Sequence, residues 1–213
     1  MTSRSPLFQR VTVAAVGVAV ALGPLGCSSK ESSSPSPPAA TGTGEETPAL
    51  ELSGSGTLTT PGQTSNAFTY NPALAPVGAR IAITLTPSGG STTATFEASG
   101  LLPNRGYAVH LHTNPCGLTG EAAGPHFQRN VDPAATPEKP STNPEYANPT
   151  NEFWLDVRTG ATGSGTSQTT VPFLLTDRVP ASVVVHEGMT TATEPGKAGT
   201  AGGRLACLTL PKV

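Results

Sequence analysis

"ARIAITLTPSGGSTTATFEASG", residues 79–100, alternates apolar and polar side chains on either side of one turn. Successive side chains of a strand take opposite faces. Ile81, Ile83 and Leu85 therefore share a face, Ser88-Gly89-Gly90 reverses the chain, and Ala94, Phe96 and Ala98 follow on the returning strand. The pattern predicts a β-hairpin with one face in a core. Outward from it the same texture recurs in "LELSGSGTLTT" (50–60), "NAFTYNP" (66–72), "GYAVHLH" (106–112), "ASVVVHEG" (181–188) and "RLACLTL" (204–210). "EFWLDVRTGATGSGTSQTTVPF" (152–173) reads as two strands about a Gly-rich turn. No segment holds a helical period. About eight antiparallel strands predict an all-β fold, a Greek-key β-sandwich or flattened barrel.

Composition agrees. Gly (24) and Pro (22) are abundant and only 12% of residues are charged, which suits many turns between short strands. Two long stretches lack strand pattern: residues 127–151, with five prolines, and the Gly- and Thr-rich residues 187–203. Loops of that length in a compact domain are functional or disordered.

The first 26 residues read as a bacterial secretory signal. Arg4 and Arg10 precede the apolar run "VTVAAVGVAVAL", which is too short to span a bilayer. Gly26-Cys27 resembles a lipoprotein cleavage site, with Pro24 where leucine is usual, so Cys27 is the expected lipid-bearing residue. Residues 27–48 form a Ser/Pro-rich flexible tether, and residues 49–213 the domain. These features predict a lipoprotein anchored to the membrane on the extracytoplasmic side of a bacterial envelope. Beyond the two signal arginines, ten basic residues face fourteen acidic ones, which argues against nucleic-acid binding. With Cys27 set aside, Cys116 and Cys207 remain as an even pair in an oxidising compartment, and a disulfide is expected.

The chemistry lies in four histidines, His110, His112, His126 and His186. His110 and His112, two apart in a strand, project from one face about 7 Å apart, with Val109 and Leu111 on the other. His126 ends "AAGPHF", a turn able to fold back over that strand, and His186 ends an apolar run. Paired imidazoles are costly to bury alone and make good ligands for copper, zinc, nickel or iron. Spacing does not say which.

"GYAVHLHTNPCG", "AAGPHFQ", "VVVHEG" and "GTAGGRLAC" together resemble, in order, the motifs of the copper/zinc superoxide dismutases. The likeness implies that family's immunoglobulin-like sandwich and disproportionation of the superoxide anion to O2 and H2O2. It implies His110, His112 and His186 as copper ligands and His126 as the bridging histidine, which takes a proton in the reduced enzyme. It implies a Cys116–Cys207 disulfide, and Arg204 as the cation that guides and holds superoxide. The family's zinc site needs two more histidines in the loop after the bridging one. Residues 127–151 contain none, and residues 187–203 contain no aspartate. The chain therefore resembles a copper-only branch, with one copper ion and no zinc. Without zinc, a carboxylate is expected to orient the far nitrogen of His126: Glu152 first, then Glu145, with Asp132 and Glu138 also nearby. The alternative reading is an envelope lipoprotein that buffers copper without turnover. The sequence leaves oligomeric state open.

Overall fold

The computed structural model describes residues 49–212. The expected secretory segment 1–26 and the expected tether 27–48, with Cys27 as the expected lipid site, lie outside the described residues. In chain order the strands are β1 (Leu52–Thr57), β2 (Ala67–Thr69), β3 (Arg80–Ser88), β4 (Ser91–Ser99) and β5 (Gly106–Tyr107). Then come β6 (Val109–His112), β7 (Val157–Arg158), β8 (Gly165–Val171), β9 (Ser182–His186) and β10 (Arg204–Thr209). One 3-10 turn, Gly120–Ala123, is the only helical element among the described residues.

The predicted hairpin is β3–β4. Its register sets Ile81 against Ala98, Ile83 against Phe96 and Leu85 against Ala94, so each large side chain meets a smaller or aromatic partner on the buried face. The turn is one residue tighter than the sequence suggested. Ser88 pairs with Ser91, and Gly89 and Gly90 alone turn the chain, both at positive φ (55° and 86°). Only glycine takes two such residues in succession without cost.

Two antiparallel four-stranded sheets result, ordered β1-β3-β4-β8 and β2-β10-β9-β6. Neither closes on the other, so the fold is a sandwich and not a flattened barrel. β4 and β8 are neighbours although three strands intervene in sequence, a Greek-key crossover. The count reaches ten strands, against the expected eight, partly because "GYAVHLH" is broken at Ala108. β5 pairs with β7, whereas β6 pairs with β9. At the break, the Ala108 N–H donates to Gly188 O and Ala108 O accepts from the His186 N–H. One continuous run thus serves two sheets, as at a sandwich corner.

The sheets bury themselves differently. β3 and β4 alternate buried and open residues, whereas all of β6 and β9 is buried. The second sheet is covered on its outer side as well. Ala123, Val184 and Cys207 pack there with Tyr70 and Cys116. The Cys116–Cys207 disulfide (S–S 2.00 Å) ties that cover to β10, closing a loop across 91 residues of sequence.

Candidate metal centre

The site is built on the edge of the second sheet. His110 and His112 leave one face of β6 while Val109 and Leu111 enter the main core. Both imidazoles are fully buried. The "GPHF" segment folds back across this strand, as its sequence suggested. The Thr113 N–H donates to Pro125 O at 3.1 Å and the Phe127 N–H to Leu111 O at 2.8 Å, which sets His126 opposite His112. His186 arrives from the end of β9, next to β6 in the sheet. One ring nitrogen from each of the four histidines lies within 4.8 Å of the others.

The other four ring nitrogens show which way each imidazole is turned. His112 Nδ1 donates to Gly124 O at 2.9 Å and His186 Nδ1 to Gly202 O at 3.4 Å, since carbonyls only accept. His126 Nδ1 meets Glu152 Oε2 at 2.9 Å, and His110 Nε2 meets Thr191 Oγ1 at 2.7 Å. In neutral rings the inward atoms are then bare lone pairs: His110 Nδ1 and the Nε2 atoms of His112, His126 and His186. Two of them, on His112 and His186, stand 3.2 Å apart with no proton to share. His110 Nδ1 is buried with no partner at all. Buried acceptors without donors are destabilising, and four converging ones suit a cation. Opposed ligands about 2 Å from a metal stand about 4 Å apart, so ring movements under 1 Å would close the set.

Burial, together with repulsion within the cluster, keeps His110, His112 and His186 unprotonated. Burial and then the His126 charge hold His110 and His112 well below the usual histidine range. His186 is pulled down to about 3, first by burial and next by His126. Neutral imidazole is the form that binds metal.

The segment Glu152–Val157 supplies much of the support. Its alternation sends Phe153, Leu155 and Val157 into the core and leaves Glu152, Trp154 and Asp156 on the opposite face. Glu152 is nearly inaccessible and accepts three hydrogen bonds: from His126 Nδ1, from Trp154 Nε1 at 2.7 Å and from Gln128 Nε2 at 2.7 Å. The first of the two carboxylates expected beside His126 is therefore the one in contact.

Glu145 is not. A turn at residues 143–147, with the Tyr146 and Ala147 N–H groups on Asn143 O, directs Ala147 inward and leaves Glu145 exposed to solvent. Asp132 spends its carboxylate on the Ala134 N–H and the Ser141 hydroxyl, bracing the Pro-rich loop.

Arg204 begins β10, directly across from His186. Its guanidinium donates to Gly120 O at 2.8 Å and Gly124 O at 2.7 Å. Gly124 O thus accepts from both Arg204 and His112. Gly124 has φ 71°, and a Cβ there would stand 2.6 Å from Asn114 Nδ2 and 2.7 Å from Thr113 Oγ1, so no other residue fits. Guanidinium has five N–H donors, and two are used. A cavity of about 360 Å³ opens over His126 and His186, with Arg204, Pro137, Pro140 and Gly199 in its walls.

Thr191, Asp156, Trp154 and Gln128 were not anticipated. The alternation of "EFWLDV" could have placed Glu152, Trp154 and Asp156 on one face. Nothing in the sequence marks Thr191.

The copper/zinc superoxide dismutase (SODC) family model matches residues 77–209, well over half of the chain. Among solved structures, the Cu/Zn superoxide dismutase from Brucella abortus is 18% identical with a TM-score of 0.50, covering 75% of this chain and 99% of that one. A double mutant of a superoxide-dismutase-like protein from Bacillus subtilis is 16% identical with a TM-score of 0.47, covering 74% of this chain and 97% of that one. No curated protein matches the sequence. The family match makes copper the metal implied for the histidine cluster and superoxide the substrate implied for the pocket. By its matched residues, its sandwich and its histidine cluster, the chain belongs to the copper/zinc superoxide dismutase family.

Proposed function

We propose that this chain is an exported superoxide dismutase that disproportionates superoxide to O2 and H2O2 at a single copper ion, without a zinc site. The observation that carries this reading is the division of the eight imidazole nitrogens. Four lone pairs face one point, and every outward nitrogen has a protein partner. In particular, His126 Nδ1, the atom that would face a zinc ion, is engaged by Glu152. His110, His112, His126 and His186 would hold the copper.

Bound copper supplies a one-electron couple able to accept an electron from one superoxide and return it to another. The protein's share is binding, charge and protons. Arg204 provides positive charge in the cavity wall, held in place by two carbonyls while its remaining N–H groups are available to an anion. His126 is the imidazole suited to carry a proton on Nε2. Its Nδ1–H already points at a carboxylate, and it is the most open of the four rings, at 17% side-chain exposure.

The export part of the proposal rests on the secretory segment 1–26, the candidate lipid site Cys27 and the tether 27–48. The Cys116–Cys207 disulfide is consistent with an oxidising, extracytoplasmic location. Copper buffering without turnover is the second reading. Arg204 weighs against it, because storage of a cation gains nothing from a guanidinium beside it.

Metal analysis of the reconstituted domain, combined with a superoxide-consumption assay, tests the proposal. One copper per chain with turnover is expected. Copper without turnover would establish the buffering reading, and a chain that takes up no copper would end both.

A further inference from the structure

Three of the four outward imidazole nitrogens end on groups that accept and cannot donate: two carbonyls and a carboxylate. The fourth does not. His110 Nε2 meets the hydroxyl of Thr191, in the loop 187–203. A hydroxyl both donates and accepts, so by itself it leaves either ring nitrogen of His110 free to hold the proton.

Asp156 removes the choice. Its Oδ1 accepts the Thr191 hydroxyl at 2.6 Å and its Oδ2 accepts the Thr191 backbone N–H at 2.7 Å. With that hydroxyl proton committed, the Thr191 oxygen can only accept. His110 must then carry its proton on Nε2 and present Nδ1 as the lone pair. Nδ1 is the one buried side-chain polar atom without a partner among the described residues, as this arrangement requires. The loop contains no aspartate of its own. Its carboxylate arrives instead from the segment that also carries Glu152, four residues away on the same face.

Taking the copper reading above as its starting point, we propose that Thr191, oriented by Asp156, is the positioning residue that fixes which nitrogen of His110 faces the metal. The same two-point contact fastens the loop 187–203 to the site. Thr191 touches neither the cavity nor the inward nitrogens, so its direct hold on the cluster is through His110.

Thr191→Val keeps the branched shape and removes the acceptor, and Thr191→Ser keeps the acceptor. The first readout uses metal-free protein: long-range 1H–15N spectra of the histidine rings, which report the tautomer of each. Wild type and Thr191→Ser should show His110 protonated on Nε2. Thr191→Val should shift His110 toward the Nδ1–H form and leave the other three rings unchanged. The second readout is copper(II) affinity by chelator competition, where Thr191→Val should lose roughly 10–100-fold and Thr191→Ser much less.

Asp156→Asn is the second variant, should the valine protein not fold, with the same changes expected in smaller degree. A Thr191→Val protein, or failing that an Asp156→Asn protein, with the wild-type His110 tautomer and unchanged copper affinity would overturn the proposal. A wild-type protein that binds no copper would overturn the copper reading instead, and the spectra of metal-free protein would still decide the role of Thr191.

Discussion

Two regions hold the histidine cluster, and they hold it with different kinds of atom. On one side His112 and His186 lean on main-chain carbonyls, Gly124 O and Gly202 O, carried by loops. On the other side His126 and His110 lean on side chains fed by one extended segment: Glu152 directly, and Asp156 through Thr191. A carbonyl cannot be removed by substitution, so the first side depends on how firmly its loops are pinned. A carboxylate carries full charge and can be deleted, so the second side is open to single changes. The pair thus combines a support that is resistant to mutation with one that can be tuned.

The largest effect should come from unpinning the main-chain side. The loop that presents Gly120 O and Gly124 O hangs on the Cys116–Cys207 bond. Replacing both cysteines by serine should destabilise the fold by about 4 kcal/mol in the chain-entropy account. For a domain of this size that lowers the thermal midpoint by on the order of 10 °C. Calorimetry of the metal-free protein measures it, and an unchanged midpoint would mean that the loop is pinned by something else.

Next comes the side-chain half. Glu152→Ala strands three donors, on His126, Gln128 and Trp154, around a carboxylate that is nearly inaccessible to solvent. Copper affinity should fall roughly 10–100-fold. Glu152→Gln, which keeps the shape but not the charge, should fall less. Equal affinity for wild type and Glu152→Ala would show that His126 is oriented without its carboxylate.

Arg204 belongs to both stories, since it clamps the main-chain side and supplies charge to the pocket. Arg204→Gln should lower the superoxide rate on the order of ten-fold at low salt while one copper per chain is retained. Arg204→Lys should lose less, and added salt should slow wild type more than the glutamine variant. A rate indifferent to both salt and charge would remove Arg204 from substrate attraction.

A last test is acid stability. His110, His112 and His186 bind protons more weakly folded than unfolded, where imidazole titrates near 6.5. Below that pH the unfolded chain takes up more protons, so stability rises with pH through this range. The contribution is full above about pH 7, begins to fall near 6.5 and goes on falling as pH drops toward the folded value, about 3 for His186. Denaturant unfolding of metal-free protein at pH 7.5 and 5.5 should show the acid sample less stable, and equal stability would mean the rings are already charged in the fold.

The same contrast explains what could be read in advance. β3–β4 has one solvent face, so its alternation is visible in sequence, and Ile81, Ile83 and Phe96 lie where that pattern puts them. β9 and β10 are buried on both faces and show apolar runs in place of alternation, so only their existence was legible, not what covers them. The break at Ala108 left no trace, because it depends on Gly188, eighty residues later. The histidines were legible as residues capable of binding metal in strand and turn positions. Their supports were less so. Glu152 was placed ahead of Glu145 from the sequence, but the turn at 143–147 that holds Glu145 away was not legible there, and the link between Thr191 and Asp156 joins a loop without pattern to a strand segment 35 residues away. Composition records which groups exist, but contacts between distant loops decide which of them meet.

Anomalous scattering at the copper edge, from crystals of the reconstituted domain, tests the central claim most directly. One peak per chain is expected, bonded to His110 Nδ1 and to the Nε2 atoms of His112, His126 and His186, with His126 Nδ1 still on Glu152. A peak elsewhere, no peak, or a second metal on His126 Nδ1 would contradict a site built for a single ion.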